Sequence, residues 1–250
     1  MAYLQCEHYS EALMRDTGTV VILPQDREDA NVRGIVYFLH GRGQNAWSWT
    51  RYTCLEQLCE KYGLAAVMPN VDRSFYTDMR YGSQYFTYVT EELPEICRRM
   101  FKIPDDPAST YVMGLSMGGY GALKCALTYP ERYAGCAAFS AMPDIRFRIG
   151  ATESGTLKYR ELQGIFGTDP EPTGAEDLYQ LIDRLPEGGP RPKLVMTCGT
   201  EDPLFPLNER FSARLNEKGY THEYWKWPGI HEWKFWDESI KKALPYFFGP

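Results

Sequence analysis

The sequence lacks any hydrophobic run long enough to cross a membrane, and it has no excess of positive charge. Its longest apolar runs, such as residues 35–39 and 64–68, are far shorter than the roughly 20 residues of a membrane-spanning helix. The 250 residues contain 27 Lys and Arg against 33 Asp and Glu, which gives a net charge of −6 at pH 7. Because such a charge repels nucleic-acid phosphates and anionic lipids, we expect neither a nucleic acid nor a membrane as partner.

The seven cysteines include no C-x-x-C pair, and their number is odd. Most of them lie within apolar segments, which favours buried, reduced thiols over disulfides. The first ten residues contain Glu7 and His8 but no apolar core, so they do not have the pattern of a secretory signal peptide. These observations predict a cytoplasmic protein, and we expect neither a metal ion nor another cofactor.

Short apolar runs alternate with longer amphipathic stretches, a pattern typical of parallel strands joined by crossover helices. The class is therefore α/β, and the length suits a single domain with its own hydrophobic core. Predicted strands cover residues 3–10, 19–23, 34–39, 64–68, 110–113, 133–139, 193–198 and 222–227. Predicted helices cover residues 49–62, 83–101, 118–128, 207–217 and 232–247, with a kink or restart at Pro94.

The alternation fails between residues 142 and 192, where Gly, Pro and charged residues dominate. The rest of the chain contains no internal repeat, low-complexity tract or interdomain linker. We therefore expect one domain over residues 1–250, with residues 142–192 inserted as a cap or lid.

The pentapeptide Gly-Leu-Ser-Met-Gly at residues 114–118 carries the strongest chemical signal. An apolar strand ends directly before it and a helical stretch of small residues follows, which is the context of a nucleophile elbow. A serine on so sharp a turn takes strained backbone angles, so the residues two positions away on either side must be glycines to avoid a clash. This context predicts that Ser116 is a nucleophile, with a helix N-terminus aimed at the site.

A serine hydroxyl becomes a strong nucleophile only when a base takes its proton, and the chain offers four histidines. His8 lies in the predicted edge hairpin, and His222 is an ordinary residue of the last predicted strand. His40 ends a core strand directly before Gly41, where we expect it to shape the loop. His231 follows the last strand at the mouth of the last helix and is the predicted base.

The base requires a carboxylate that fixes its tautomer and stabilises the imidazolium. Two acids, Glu201 and Asp202, lie in the loop after the strand at residues 193–198. Asp202 is favoured because its side chain is shorter and Pro203 stiffens its position. The resulting chain order, serine then aspartate then histidine, is the order that α/β-hydrolases use.

An oxyanion hole requires two backbone N–H donors, one from the residue after the nucleophile and one from the loop after an earlier strand. Met117 supplies the first. For the second, the glycine-bracketed loop after residues 34–39 offers Arg42 or its neighbour Gly41, because glycines let a backbone approach the substrate closely.

With these motifs the chain resembles the esterase D and tributyrin-esterase branch of the α/β-hydrolases, a grouping that includes S-formylglutathione hydrolases, feruloyl esterases and carbohydrate acetyl esterases. The resemblance is carried by residues 39–49, 68–82, 114–122, 199–202 and 227–233. It implies the α/β-hydrolase fold, with a mostly parallel central sheet, helices on both faces and a small cap. It also implies Ser116, Asp202 and His231 as the catalytic triad of a serine carboxylesterase for short-chain acyl esters. The first expected substrates are acetyl esters, including those on carbohydrate fragments, and the alternatives are feruloyl esters and S-formylglutathione.

Two interpretations of another class compete with the esterase. Residues 41–46, Gly-Arg-Gly-Gln-Asn-Ala, fit the dinucleotide fingerprint, with Glu60 near the distance of a ribose-binding acid, as in a nucleotide-dependent oxidoreductase. Against this, Trp47 and Trp49 crowd the start of the helix. A non-catalytic binding protein on the same fold is the other alternative, although no triad member is missing. A metalloprotease is disfavoured because the H-E-x-x-H pattern is incomplete at residues 231–235.

Aromatic residues near the expected mouth of the site include Trp47, Tyr76 and Trp233, which we predict to contact substrate by stacking on a sugar or phenolic group. The expected partner is a small-molecule ester. The leading hairpin leaves a sheet edge exposed, which is compatible with a homo-oligomer.

Overall fold

An eight-stranded sheet forms the centre of the protein. The computed structural model describes residues 1–25, 32–103 and 106–250 and orders the strands β1-β2-β4-β3-β5-β6-β7-β8. The strands are β1 Ala2–Ser10, β2 Arg15–Leu23, β3 Gly34–Leu39, β4 Leu64–Pro69, β5 Thr110–Leu115, β6 Gly135–Phe139, β7 Lys193–Gly199 and β8 Glu223–Trp227. β2 is antiparallel to β1 and β4, and the other pairs are parallel. The predicted leading hairpin and mostly parallel sheet are confirmed.

Helices cover both faces of this sheet, as the α/β class requires. They are α1 Ser48–Tyr52, α2 Leu55–Tyr62, α3 Tyr85–Thr87, α4 Leu93–Phe101, α5 Met117–Thr128, α6 Ile145–Gly150, α7 Leu157–Phe166, α8 Leu178–Arg184, α9 Phe205–Glu217 and α10 Trp233–Phe248. In β3, Tyr37 and Leu39 enter a buried apolar cluster with α5, α8 and α9. Val36 and Phe38 enter a second cluster with α2 and α10 on the opposite face. None of the described helices has both the length and the apolar character needed to cross a membrane.

The predicted helix over residues 49–62 is two helices, α1 and α2. Thr53 between them is extended, with φ −134° and ψ 170°, and its hydroxyl oxygen accepts the Leu55 N–H at 3.2 Å. The Cys54 N–H donates to the Asp237 carboxylate at 3.0 Å. Because side-chain oxygens take over as acceptors for these two amides, the helix stops and restarts, and the prediction of one helix is wrong.

The helical segment around Pro94 shows the predicted irregularity, placed just before the proline. Residues Tyr88–Glu92 form a π-helical turn between α3 and α4, and Pro94 is the second residue of α4. Proline lacks an N–H and crowds the carbonyl group four residues before it, so a regular α-helix is disfavoured there and the wider turn accommodates it.

Residues 142–192, where the sequence shows no regular pattern, contain the short helices α6, α7 and α8 between β6 and β7. The side chains of Asp144, Thr156 and Asp177 each accept an N–H of the helix that follows. Such caps are visible in a sequence, but without a long apolar stripe they do not predict a helix by themselves.

The parallel strands bring the loops with the candidate residues to one edge of the sheet. β5, β6, β7 and β8 run in the same direction, so their carboxyl ends lie together. Ser116 directly follows β5, and Asp202 and His231 lie in the loops after β7 and β8. The sheet topology itself gathers the three predicted triad residues.

Ser116 occupies the sharp turn between β5 and α5. Its backbone angles, φ 53° and ψ −115°, are unfavourable for a residue with a side chain. A Cβ atom on Gly114 would overlap the Gly118 carbonyl oxygen, and a Cβ atom on Gly118 would overlap the Leu39 carbonyl oxygen. The steric requirement for both glycines, predicted from the pentapeptide, is confirmed.

We expect Gly118→Ala to lower the free energy of unfolding by about 3 kcal/mol, because the added methyl group meets backbone atoms that cannot rotate away. In a chain of this size that corresponds to a fall in Tm of about 6–12 °C by scanning calorimetry. Gly150→Ala is the matched control: within the described residues, nothing outside its own stretch of helix lies within 4 Å of its Cβ position, and alanine favours a helix by up to about 1 kcal/mol. Equal melting temperatures for the two variants would contradict the steric argument.

Candidate active site

The side chains of Ser116, His231 and Asp202 form a continuous hydrogen-bonded row. Nε2 of His231 lies 3.0 Å from Oγ of Ser116, and Nδ1 lies 2.8 Å from Oδ2 of Asp202. Both distances are within the ordinary range of hydrogen bonds. With the histidine in the middle, the row has the atoms needed to take a proton from the serine oxygen and to stabilise the resulting imidazolium.

The Asp202 carboxylate is fixed in place. Its side chain is fully buried, and its second oxygen, Oδ1, accepts the Leu204 N–H at 2.8 Å. The His231 side chain keeps 28% of its surface exposed and packs edge-on against the Trp236 ring. The buried acid thus sets the orientation of an imidazole that solvent and substrate can still reach.

Glu201, the competing acid, contacts the backbone beside the histidine. Its carboxylate accepts the Gly229 N–H and the Thr200 hydroxyl, and its own N–H donates to the Gly229 carbonyl at 3.1 Å. The bond from the Gly229 N–H lowers the pKa of this carboxyl group. Glu201 therefore ties the loop after β7 to the turn that carries His231. In the sequence both acids are candidates only for contact with the histidine, and no local pattern there indicates this positioning contact.

The two expected sources of the second oxyanion donor differ in the structure. The Gly41 N–H donates to Oε1 of Gln44 at 2.8 Å, so this amide is occupied and its prediction as a donor is wrong. Among the described residues no oxygen accepts the Arg42 N–H. The Met117 N–H is the first amide of α5, which has no acceptor one turn earlier within the helix. Arg42 and Met117 are therefore the candidate donors.

His40 holds the start of this loop, as the sequence predicts. Its Nδ1 lies 2.9 Å from the Gly41 carbonyl oxygen, and its Nε2 accepts the Val71 N–H at 3.1 Å. Nε2 must therefore carry no proton, and the Nδ1–H tautomer fits both contacts. Complete burial lowers the pKa of His40 to about 4, which keeps the ring neutral near pH 7.

The remaining histidines lie elsewhere. His8 is half-buried in β1, the edge strand of the sheet. His222 precedes β8, and its Nε2 lies 2.7 Å from the Ser212 hydroxyl. Neither is part of the hydrogen-bonded row, which agrees with the choice of His231.

A cavity of about 230 Å³ opens at Ser116. Phe75, Met142 and Leu204 form apolar walls, and the arginines Arg42 and Arg148 supply positive charge. Such a volume lies below the usual 300–1,000 Å³ of small-molecule pockets, so it suits a small group at the reacting carbonyl. Of these five residues, Arg42 was expected at the site from the sequence and the other four were not.

Phe75 reaches the cavity from a strained loop that a buried lysine supports. Phe75 and Tyr76 have positive φ angles of 51° and 50°. The ammonium group of Lys124, in α5, donates to the Tyr76 carbonyl at 2.9 Å and lies 4.2 Å from the centre of the Phe86 ring. Burial lowers the pKa of Lys124 to about 8. The loop that forms one wall of the cavity is thus fixed from behind.

The aromatic residues predicted to contact substrate do not line this cavity. Tyr76 is fully buried, with its hydroxyl donating to the His40 carbonyl at 2.8 Å, so this prediction is wrong. Trp47 and Trp233 line another depression, of about 510 Å³, together with Tyr52. Trp233 stacks on Tyr52 with ring centres 4.9 Å apart, so its ring already has a neighbour within the protein.

Residues 10–247 match the Esterase family. The chain is also 31% identical to an acetyl esterase of Caldicellulosiruptor saccharolyticus, with 98% of each chain covered. The chain belongs to the Esterase family. Among solved structures, the fluorophosphonate-binding serine hydrolase FphF of Staphylococcus aureus matches this esterase with a TM-score of 0.90 and 29% identity, over 100% of this chain and 99% of that one. The S-formylglutathione hydrolase FrmB of the same organism gives 0.86 and 29%, over 99% and 98%.

The protein is therefore a carboxylic ester hydrolase with the α/β-hydrolase fold, as the resemblance implied. The family match therefore disfavours both alternatives, a nucleotide-dependent oxidoreductase and a non-catalytic binding protein. Residues 41–46, which fit the dinucleotide fingerprint, lie in the loop between β3 and α1.

We expect the free energy of unfolding to fall between about pH 6.5 and 4 through His40. Folded His40 has a pKa of about 4 against an ordinary 6.5, so the unfolded chain binds the extra proton in this window and acid favours unfolding. The contribution of His40 to the free energy of unfolding is about 3 kcal/mol. It is fully present above pH 6.5 and is lost below pH 4. The control is His40→Gln, whose side chain keeps one donor and one acceptor but does not titrate. Between pH 6.5 and 4.5, we expect its free energy of unfolding, measured by urea titration, to fall by about 2 kcal/mol less than that of wild type. Parallel pH profiles would contradict this assignment.

Proposed function

We propose that this esterase hydrolyses short acyl esters, acetyl esters first, through an acyl-enzyme formed on Ser116. The observation that carries the proposal is the hydrogen-bonded row from Asp202 through His231 to Ser116. The similarity to an acetyl esterase supports the acyl preference. So does the cavity of about 230 Å³, which suits an acetyl group better than a feruloyl group.

In the first half of the reaction, Oγ of Ser116 attacks the ester carbonyl carbon while Nε2 of His231 takes the hydroxyl proton. The carbonyl oxygen gains the negative charge of the tetrahedral intermediate, and the N–H groups of Met117 and Arg42 are the donors that we assign to it. The bond to the alcohol oxygen then breaks, and the imidazolium gives its proton to that oxygen. Asp202 stabilises the imidazolium because its buried carboxylate lies 2.8 Å from Nδ1.

In the second half, water takes the place of the departed alcohol. Nε2 of His231 takes a proton from the water molecule as its oxygen attacks the acyl carbon. The second tetrahedral intermediate collapses when the bond to Oγ of Ser116 breaks, and Oγ receives the proton from His231. The carboxylic acid leaves, and every group returns to its starting state.

S-formylglutathione is the second candidate substrate, and one observation favours it over ferulate. Its peptidic leaving group carries carboxylates, and Arg42 and Arg148 line the cavity. Thioester hydrolysis would use the same serine, with the thiol instead of an alcohol leaving the tetrahedral intermediate.

We also assign residues 142–192 as a cap, because Met142 and Arg148 of this segment line the cavity at Ser116. A cytoplasmic location and a homo-oligomeric state stay predictions from the sequence.

Ser116→Ala is expected to lower kcat/KM for p-nitrophenyl acetate by at least about 10⁴-fold, because the nucleophilic oxygen is absent. It is also expected to abolish covalent labelling by a fluorophosphonate probe, read by intact-protein mass spectrometry, with an unchanged circular dichroism spectrum. Ser154→Ala, at an exposed serine of the cap, is the control that keeps both signals. If Ser116→Ala hydrolysed p-nitrophenyl acetate as fast as wild type does, the proposal would be contradicted.

The same assay with four substrates tests the acyl preference. We expect p-nitrophenyl acetate and acetylated xylo-oligosaccharides to be hydrolysed with higher kcat/KM than methyl ferulate. S-formylglutathione as the best substrate would replace the acetyl assignment while leaving the serine chemistry intact.

Asp202→Asn and Glu201→Gln separate the acid that contacts His231 from the acid that positions its loop. We expect Asp202→Asn to lower kcat by about 10⁴-fold, by analogy with protease triads, because the amide favours the wrong imidazole tautomer. Glu201→Gln keeps an acceptor for the Gly229 N–H and is expected to cost about tenfold or less. A larger loss from Glu201→Gln than from Asp202→Asn would show that the acid is misassigned.

A further inference from the structure

Positive charge exceeds negative charge around the cavity at Ser116. Arg42 and Arg148 line the cavity itself, and Arg73 shares an ion-pair partner with Arg42. Glu161 is the carboxylate that meets this group: it is paired with Arg42 and, at 3.3 Å, with Nε of Arg73. One carboxylate therefore faces three guanidinium groups.

Glu161 is already committed to its two partners. Its side chain is only 14% exposed, and both of its oxygens accept from the Arg42 guanidinium. Such bidentate pairing joins the edges of two planar groups through parallel N–H···O bonds and holds them in register. Glu161 thus neutralises Arg42, and Arg148 is the cavity arginine for which the described part of the chain supplies no such pair.

Arg148 is a partly buried cation that no carboxylate of the described residues meets in an ion pair or hydrogen bond, although Glu161 is near enough for its charge to act on it. It lies in α6, and within residues 1–25, 32–103 and 106–250 no oxygen accepts a hydrogen bond from its guanidinium group. Burial and the nearby charge of Arg42 lower the pKa of Arg148, and the charge of Glu161 offsets only part of this shift. A guanidinium removed from water in this way is stabilised strongly by a carboxylate, which it can bind with two parallel hydrogen bonds.

The position of Arg148 assigns that carboxylate to one side of the ester. Arg148 lines the cavity at Ser116 and also a neighbouring groove of about 490 Å³, in which the acid Glu153 and the base Lys158 offset each other in charge. In the proposed function a small acyl group occupies the cavity next to Ser116. The larger leaving group is then the part of the substrate that extends past Arg148 into the groove.

We propose that Arg148 binds a carboxylate on the leaving alcohol, so that the preferred substrates are acetate esters of hydroxy acids, acidic sugars among them. This inference rests on the proposed function, because it places the acetyl group at Ser116. Arg148 then acts as a specificity determinant that contacts the substrate away from the reacting bond.

Two esters that differ only in this charge test the proposal: 3-acetoxybenzoate and its neutral carboxamide, 3-acetoxybenzamide. After each kcat/KM is divided by the uncatalysed rate of the same ester, we expect wild type to favour the carboxylate by about tenfold or more. Arg148→Met is expected to bring this ratio close to one, Arg148→Lys to keep part of it, and Arg148→Glu to invert it. A merely structural role of Arg148 predicts equal losses on both esters and an unchanged ratio.

Arg160→Gln is the matched control, because it removes one exposed positive charge from α7 without changing the cavity lining. We expect it to keep the wild-type ratio. For wild type, raising NaCl from 20 to 500 mM is expected to lower the ratio, and this arm requires no variant to fold. A wild-type ratio near one, or a ratio that is the same in all Arg148 variants, would overturn the proposal. If wild type hydrolysed none of the three compounds, the two test esters and p-nitrophenyl acetate, that result would instead contradict the proposed function.

Discussion

The close approach of α5 to the end of β3 is the constraint on which the site depends. At Gly118 the helix backbone lies so near the Leu39 carbonyl group that no side chain fits between them. This contact brings the first amide of α5 beside the loop that contains Arg42. The elbow is secured from the other side as well, because the Ser116 N–H donates to the Phe139 carbonyl at 2.9 Å. The strained conformation of Ser116 persists because neighbours on both sides determine it.

A second layer of buried polar groups supports this arrangement, and each of them has partners. His40 bridges the Gly41 carbonyl and the Val71 N–H, and Lys124 binds the Tyr76 carbonyl. An unsatisfied polar group in the interior is costly, whereas a satisfied network fixes one conformation. Here the network fixes the loop that presents Phe75 to the cavity. The same network makes the stability of the fold depend on pH, because acid favours the charged form of the histidine and the buried site admits only the neutral form.

The parts of the site that follow from local rules could be predicted from the sequence. The glycines around Ser116 express a steric requirement within five residues, and the choice of Asp202 over Glu201 follows from reach along one loop. The errors arise where the conformation of a side chain or the packing of distant segments decides the outcome. Gly41 looks like a free amide until the Gln44 side chain folds back onto it. Tyr76 looks like a surface aromatic until the packing of its ring over Gly121 is known. Arg148 lies in a segment without periodicity, so its place in the cavity depends on tertiary packing alone.

The charge of the whole chain and the charge of the cavity have opposite signs, and the difference bears on how selectivity arises. A net charge of −6 repels an anionic ester at a distance, but salt screens exposed charges beyond about 8–10 Å. Long-range attraction therefore does not deliver such a substrate. Its carboxylate is stabilised only after it has entered the partly dehydrated space beside Arg148. There a charge-assisted hydrogen bond is stronger than in water. Discrimination then takes the form of short-range contacts between the bound ester and the protein, and its strength depends on how firmly α6 holds Arg148 against the cavity.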